Sequence, residues 1–385
     1  MSEVLRVGLV AGEASGDQLG AALIAALRAR EPGVQCFGVA GPKMRAQGCE
    51  AWAPADELAV MGLAEVLHHL PRLLRLRARL RERFVAARPH VFIGIDAPEF
   101  NLGLAAHLKR AGLTTVQYVS PQVWAWRQGR VRTIGSAADL VLCLLPFETE
   151  FYERHGVRAR FVGHPLADQV PLDPDRAGAR IALGLEPHGA TFALLPGSRV
   201  GEVTRLAGPF LDAARVIAQR RPDARFLAPM ASQATRAVFE ASVARADLGA
   251  RLRIVDGEAQ RVLAASDAVL VASGTATLET MLSKRPMVVA YRMSALTALL
   301  LRGLRLVKVP YFSQPNLLLG RRFVPEFFQN EVQGEALATS ILGLLEDRAY
   351  LEELQREFRR VHEALRRGGA DGAADAIFSL PGVRP

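Results

Sequence analysis

Cysteine is scarce in this 385-residue chain. Its three thiols, Cys36, Cys49 and Cys143, form no CxxC pair and have no histidines at zinc spacing. A disulfide scaffold and a structural zinc module are thereby excluded, and buried reduced thiols are expected. Long apolar runs are missing too. Glu13 and Asp17 interrupt the short apolar stretch from Leu5 to Val10, so no secretory leader is expected. The most apolar window, Met293 to Val307, is broken by Arg302 and Arg305, well short of the ~20 residues a spanning helix needs. A cytoplasmic chain that does not cross the membrane is expected. Lysine is rare as well: only four of the 48 basic residues are Lys, so the excess of arginine reads as a compositional bias. The net charge of +9 admits nucleic acid, phosphorylated substrates or anionic lipid as partners. No RNP-like aromatic motif, finger spacing or basic tail is found, and nucleic acid is not expected.

What the chain has is apolar material, half of its residues, and ordinary charge at 23 %. Short apolar runs alternate with longer helical patterns, which predicts βαβ units and parallel sheets. Strands are expected at Val7–Val10, Val34–Val39, Val91–Ile95, Thr115–Val119, Leu140–Leu144 and Arg160–Val162. A Pro- and Asp-rich linker follows, from Leu166 to Pro174, and the rhythm then restarts at Phe192–Leu195, Arg225–Ala228, Leu252–Val255, Ala268–Val271 and Met287–Ala290. The fold class expected is α/β: two doubly wound Rossmann-like domains facing a cleft. The first domain is expected over 1–167 and the second over 168–347, with helices over 348–385 that pack back on the first domain. Ligands of such sheets bind beyond the carboxyl ends of the strands, so the loops there carry the chemistry.

Five of these loops stand out. The first, Gly12-Glu13-Ala14-Ser15-Gly16-Asp17, joins a strand to a helix expected to start near Asp17, and helix amides there suit an anion or a sugar hydroxyl. It matches neither GxGxxG nor GxxxxGK[ST], which disfavours a dehydrogenase or a P-loop ATPase. Its plain alternative is that Ser15 or Asp17 caps the helix. The second loop puts Asp96 at the end of an apolar strand, two residues before Pro98, where a partly dry carboxylate suits a general base; an Asx turn is the alternative. The third, around Trp124 and Trp126, offers aromatic faces to a sugar ring or a lipid interface, or serves the core. In the fourth, Gly197-Ser198-Arg199, the guanidinium can fork onto two phosphate oxygens. The fifth is Ser273-Gly274-Thr275-Ala276-Thr277-Leu278-Glu279. If a helix begins at Thr275, its amides face a pyrophosphate, and Glu279 one turn on accepts from ribose hydroxyls. The eight histidines show no HxxxH or HExxH spacing, no GxSxG nucleophile occurs, and no cofactor or metal site is expected.

Seven ordered blocks make the chain familiar. GEASGD (12–17), GIDAPEFN (94–101), YVSPQVWAWR (118–127), LLPGSR (194–199), SGTATLE (273–279), PNLL (315–318) and PEFFQ (325–329) together resemble the lipid-A-disaccharide synthase family. Glu99 stands where Asp is common, and Gln122 occupies a variable position. The resemblance implies a GT-B glycosyltransferase of Gram-negative lipid A synthesis. Its donor would be UDP-2,3-diacylglucosamine and its acceptor 2,3-diacylglucosamine 1-phosphate (lipid X), giving the β(1→6) disaccharide 1-phosphate and UDP with inversion and without an obligatory metal. It also implies Asp96 as the base, with Glu13 as the competing carboxylate, and Arg199, Glu279 and Asn316 as contacts of UDP. Gly12, Ser15, Asp17, Asn101 and Trp124 would serve the acceptor sugar.

Acylated substrates imply peripheral contact with the inner membrane. One interfacial helix is expected to carry Arg72, Arg75, Arg79 and Arg83 beside an apolar stripe of Leu73, Leu76, Leu80 and Phe84, and a second is expected at Leu296–Phe312; the alternative for each is an amphipathic helix packed on its own domain. Two rival readings predict different behaviour. A UDP-sugar epimerase on a similar fold would turn over without an acceptor, and a non-enzymatic basic protein binding RNA or a membrane surface would be indifferent to Asp96→Asn.

Overall fold

The structure is a computed structural model that describes residues 4–58, 63–124, 128–244, 246–293 and 310–383. The chain divides into two units, one made of residues 1–168 and 365–385 and the other of residues 169–364.

The first unit is built on a seven-stranded parallel sheet. Its strands are β1 (Arg6–Ala11), β2 (Gln35–Ala40), β3 (Glu50–Pro54), β4 (Val91–Ile95), β5 (Thr114–Tyr118), β6 (Leu140–Cys143) and β7 (Ala159–Phe161), in the order β3-β2-β1-β4-β5-β6-β7. Runs such as VGLVA and VFIGI are apolar on both faces because helices cover both faces, as parallel sheets require. One face packs under Leu23, Ile24 and Leu27 of the helix Glu13–Arg30 and under Ala373, Ala374 and Ile377 of the final helix, Gly369–Phe378. The opposite face packs under Leu76, Leu80 and Phe84 of the helix Leu63–Ala87 and under Leu104 and Leu108 of the helix Pro98–Arg110. The three cysteines are free and buried.

The second unit repeats the plan with six parallel strands. These are β8 (Thr191–Leu195), β9 (Arg225–Met230), β10 (Leu252–Asp256), β11 (Ala268–Ala272), β12 (Met287–Tyr291) and β13 (Glu326–Phe328), in the order β10-β9-β8-β11-β12-β13. Phe192 and Phe226 stack in its core beneath Phe210 and Ile217 of the helix Val200–Arg220. The α/β class and the doubly wound topology are those the sequence predicts. The edge strands β3 and β13 are not among the expected strands, while the final helix lies within the 348–385 stretch where helices are expected.

Both sheets reverse winding direction once, between β1 and β4 in the first unit and between β8 and β11 in the second. The crevice beyond the carboxyl ends at such a reversal is where open α/β sheets take ligands. Four of the five loops singled out from the sequence follow these four strands.

Among the described residues no helix is long and apolar enough to cross a membrane. The helix Leu63–Ala87 corrects one expectation. Of its supposed lipid-facing stripe, Leu76, Leu80 and Phe84 are buried in the core at 2, 2 and 0 % exposure, because the underside of the sheet needs that apolar face. Among its described side chains the exposed large apolar residues are Leu70 and Leu74, with Val85 near its end. The expected helix at Leu296–Phe312 lies almost wholly outside the described residues.

Candidate active site

In the first unit, the loops after β1 and β4 abut. The helix expected to start near Asp17 starts at Glu13, with Gly12 as its N-cap. A side chain on Gly12 would bring its Cβ to 3.1 Å from that of Ala97, so the close approach favours glycine. Glu13, Asp96, Ala97 and Val119 all have positive φ, at 62, 52, 40 and 75°. Each follows the end of a strand, and L-residues enter this region at a cost of roughly 1–3 kcal/mol, which concentrates at working sites. Asp96 is tied down through its backbone: its N–H donates to the Tyr118 carbonyl at 2.9 Å, and its carbonyl accepts from Asn101 Nδ2 at 2.9 Å and from Gln117 Nε2 at 3.2 Å. Its carboxyl group is left for other work. Burial raises its pKa above the ordinary value, and the Ala97 N–H offsets part of that rise.

Glu13 and Ser15 are exposed on the first turn of the helix. Asp17 and Asn101, expected beside the acceptor sugar, are both buried and bonded to the chain. Asp17 is 3 % exposed and spends both oxygens on the N–H groups of Lys43 (2.8 Å) and Met44 (3.0 Å), so it caps the short helix Pro42–Ala46 rather than its own. Asn101 is fully buried, and its amide donates to the carbonyls of Val10, Ile95 and Asp96, lacing the β1 and β4 ends together. Trp124 is half-buried, edge-on to Phe147, and donates from Nε1 to Glu148 at 3.1 Å. Glu148 also accepts from the Leu145 N–H at 3.0 Å, and burial pushes its carboxyl up to about 7. Sequence reasoning missed this buried anchor of the tryptophan loop. Trp126 and Arg127 lie outside the described residues.

The second unit holds a cavity of about 310 Å³ at its winding reversal. Gly197, Ser198 and Arg199 line it from the loop after β8, and Ser273, Gly274, Thr275 and Glu279 line it from the segment after β11. The sequence therefore nominated seven residues that the fold gathers around one space. The helix Thr275–Leu282 does begin at Thr275, which puts Glu279 one turn later on the same face. Burial raises the pKa of Glu279. The Ser273 hydroxyl is already spent on the Phe312 carbonyl at 2.7 Å, so that residue contributes shape and backbone. Arg199 is well exposed, and its guanidinium reaches Glu202 at 3.5 Å.

Glu202 is the residue that sequence reasoning overlooked here. Third in the helix Val200–Arg220, it bends back so that Oε2 accepts from the N–H groups of Ser198 (3.1 Å) and Arg199 (3.3 Å). A Cβ on Gly197, at φ 129°, would lie 2.5 Å from that of Glu202. An Arg followed three residues later by Glu at a helix start was the available signal. Asn316, expected at the nucleotide, is absent from this cavity. It is fully buried; Nδ2 donates to Val324 O and Glu326 Oε1 (both 2.9 Å), and Oδ1 accepts from Phe323 N (2.7 Å) and Val324 N (2.8 Å), leaving nothing for a ligand. These bonds pin the segment leading into β13.

Known proteins resemble this chain over its whole length. A family model described as lipid-A-disaccharide synthetase matches residues 7–377. A lipid-A-disaccharide synthase of Pseudomonas aeruginosa is 53 % identical, with 99 % of each chain covered. Among solved structures, the glycotransferase of kitacinnamycin superposes with a TM-score of 0.64 at 17 % identity, covering all of both chains. A putative UDP-N-acetylglucosamine 2-epimerase from Listeria monocytogenes does so with a TM-score of 0.64 at 14 % identity, covering 98 % of this chain and 95 % of its own. At those identities the solved structures speak for the fold alone, which glycosyltransferases and epimerases share.

Proposed function

Because the chain belongs to the lipid-A-disaccharide synthetase family, it is a glycosyltransferase of lipid A disaccharide synthesis, and we propose that its two units divide the reaction between them. The epimerase reading is not favoured, since the close sequence relatives are synthases while the epimerases share only the fold.

The second unit takes the donor, UDP-2,3-diacylglucosamine. The diphosphate meets the Arg199 guanidinium and the free amides at the start of the helix Thr275–Leu282, while Glu279 accepts from the ribose. The cavity at the second winding reversal is the observation that carries this reading. The first unit takes the acceptor, lipid X, beside Gly12 and Asp96. Asp96 accepts the proton of the acceptor 6-hydroxyl as that oxygen bonds to the anomeric carbon, the bond from that carbon to the diphosphate breaks, and UDP leaves with the electron pair. A single displacement turns the α-linked donor into a β-linked product. Holding both sugars in line supplies much of the rate, and Arg199 meets the charge that grows on the leaving diphosphate. Glu202 keeps the Arg199 loop in shape between turnovers.

Acylated substrates call for contact with the inner-membrane surface on the cytoplasmic side. On the helix Leu63–Ala87, exposed Leu70 and Leu74 stand among exposed Arg72, Arg75 and Arg79, apolar groups for the acyl region and cations for the headgroups.

Purified protein with both lipid precursors in detergent and EDTA, followed for UDP release and disaccharide, tests the assignment. Asp96→Asn is expected to lose at least ~100-fold in turnover, the usual worth of a general base, with UDP affinity unchanged. Arg199→Ala is expected to lose on the order of 100-fold, ~3 kcal/mol of transition-state stabilisation. Wild-type turnover in Asp96→Asn removes the base from the mechanism; UDP formed without acceptor, or no product with EDTA, removes the proposed reaction.

A further inference from the structure

A second cavity, of about 720 Å³, lies in the first unit, at the opposite ends of its strands. Arg6 and Gln35, the paired first residues of β1 and β2, line it. Five strand steps separate Arg6 from Ala11, so it lies roughly 17 Å from the loops that carry Gly12 and Asp96. A sugar reacting at Asp96 does not fill this space, and none of the proposed roles above uses it.

Three arginines converge on the cavity: Arg6 from β1, Arg28 from the helix Glu13–Arg30 and Arg83 from the helix Leu63–Ala87. Among its lining residues Glu50 is the single carboxylate, and its Oε1 already accepts from Trp52 Nε1 at 3.0 Å. Among the described residues no carboxylate lies within ion-pairing distance of any of the three guanidinium groups. The neighbouring Arg30, in contrast, is matched by Asp371 and Asp375. Arg28 reaches only the Gly48 carbonyl, at 3.4 Å, and its Nε is sealed from solvent without an acceptor.

Two of the arginines are held in position by aromatic rings. Arg83 lies over Trp52 at 4.3 Å from the ring centre and Arg6 over Phe37 at 5.4 Å, and the two rings stack at 4.8 Å. Stacking orients a guanidinium through the ring quadrupole but supplies no counter-charge, and its in-plane N–H groups stay free to fork onto oxygens. Uncompensated charge and fixed donor planes in one concavity are complementary to an oxyanion with several oxygens. The volume exceeds one phosphate and leaves room for an attached polar group.

We propose that this cavity is a phosphate-ester site, separate from the catalytic one and independent of the assignment of Asp96 and Arg199. The ester is either a small soluble molecule or the headgroup of a lipid, and the same chemistry serves both. Calorimetric titration of the full chain with glycerol 3-phosphate reads the first source. Co-sedimentation with phosphatidylcholine vesicles, with and without phosphatidic acid, reads the second. Arg28→Gln/Arg83→Gln is compared with wild type, and Arg199→Ala accounts for any phosphate taken by the second unit. The expected result is a binding step, in one arm or both, that survives Arg199→Ala and weakens about tenfold or more in the double variant. Should the double variant melt below wild type, Arg6→Gln reads the same step. Binding that ignores these arginine substitutions, or none in either arm, overturns the proposal.

Discussion

At the scale of single residues, Asp96 and Ala97 hold consecutive left-handed backbone conformations, and the side chain they present is a carboxyl group in partly dry surroundings. Two pH effects follow from the raised pKa of Asp96. A base must be ionised, so kcat/KM is expected to fall on the acid side with a midpoint above the ordinary 3.8 of the side chain, in a pH–rate profile of the wild type. For stability the sign is opposite to that of a salt-bridged carboxylate. A folded-state pKa above the unfolded one stabilises the protein most below the unfolded value, and that contribution is lost as pH rises through the folded value. At neutral pH, Asp96→Asn is therefore expected to melt no lower than wild type while being inactive, and a lower melting temperature would mark Asp96 as structural. Asp17, Asn101 and Asn316 show what the sequence concealed at this scale. Each sits in a motif beside the chemistry, yet each is buried and makes most of its hydrogen bonds to backbone groups. Motif and spacing locate a loop; burial decides which of its polar side chains faces outward.

At the scale of elements, periodicity identified the central strands because apolar runs of four to six residues have few other uses. It passed over β3 and β13 for identifiable reasons. EAWAP ends in proline, and EFF is only three residues long; both lie at sheet edges, where a full apolar run is unnecessary. The final helix, GADGAADAIF, falls in the stretch expected to be helical, although its two Gly weaken the local signal. The helix Leu63–Ala87 taught a different lesson. Its apolar stripe is real, but amphipathicity does not say whether the apolar face meets lipid or the helix's own sheet. Here the sheet takes it and leaves Leu70 and Leu74 outside. Leu70→Glu/Leu74→Glu is expected to weaken co-sedimentation with anionic vesicles severalfold without lowering the melting temperature, because neither side chain is part of the core. Unchanged sedimentation would remove this helix from the membrane reading.

At the scale of the whole molecule, the chain returns to the first unit for its last residues. Asp168 accepts from the N–H groups of Gly368 (3.0 Å) and Gly369 (2.8 Å), and Arg30 forks to Asp371 and Asp375. Beyond these ties, Ile377, Phe378, Leu380 and Val383 are buried against the sheet. At roughly 1.5–3 kcal/mol for each large side chain buried, these four contribute an amount comparable with the net stability of a domain. Truncation after Arg367 is expected to abolish the calorimetric transition of the first unit while UDP binding by the second persists; two intact transitions would refute that. The sequence by itself determined the α/β class, the two doubly wound sheets, the family and the loops that end the ligand-side strands, because those depend on local composition and order. Only the tertiary structure decided that seven residues of the second unit share one cavity and that three arginines far apart in sequence meet in a single concavity. Those are contacts across long stretches of chain, fixed when helices and strands pack, and no local pattern encodes them.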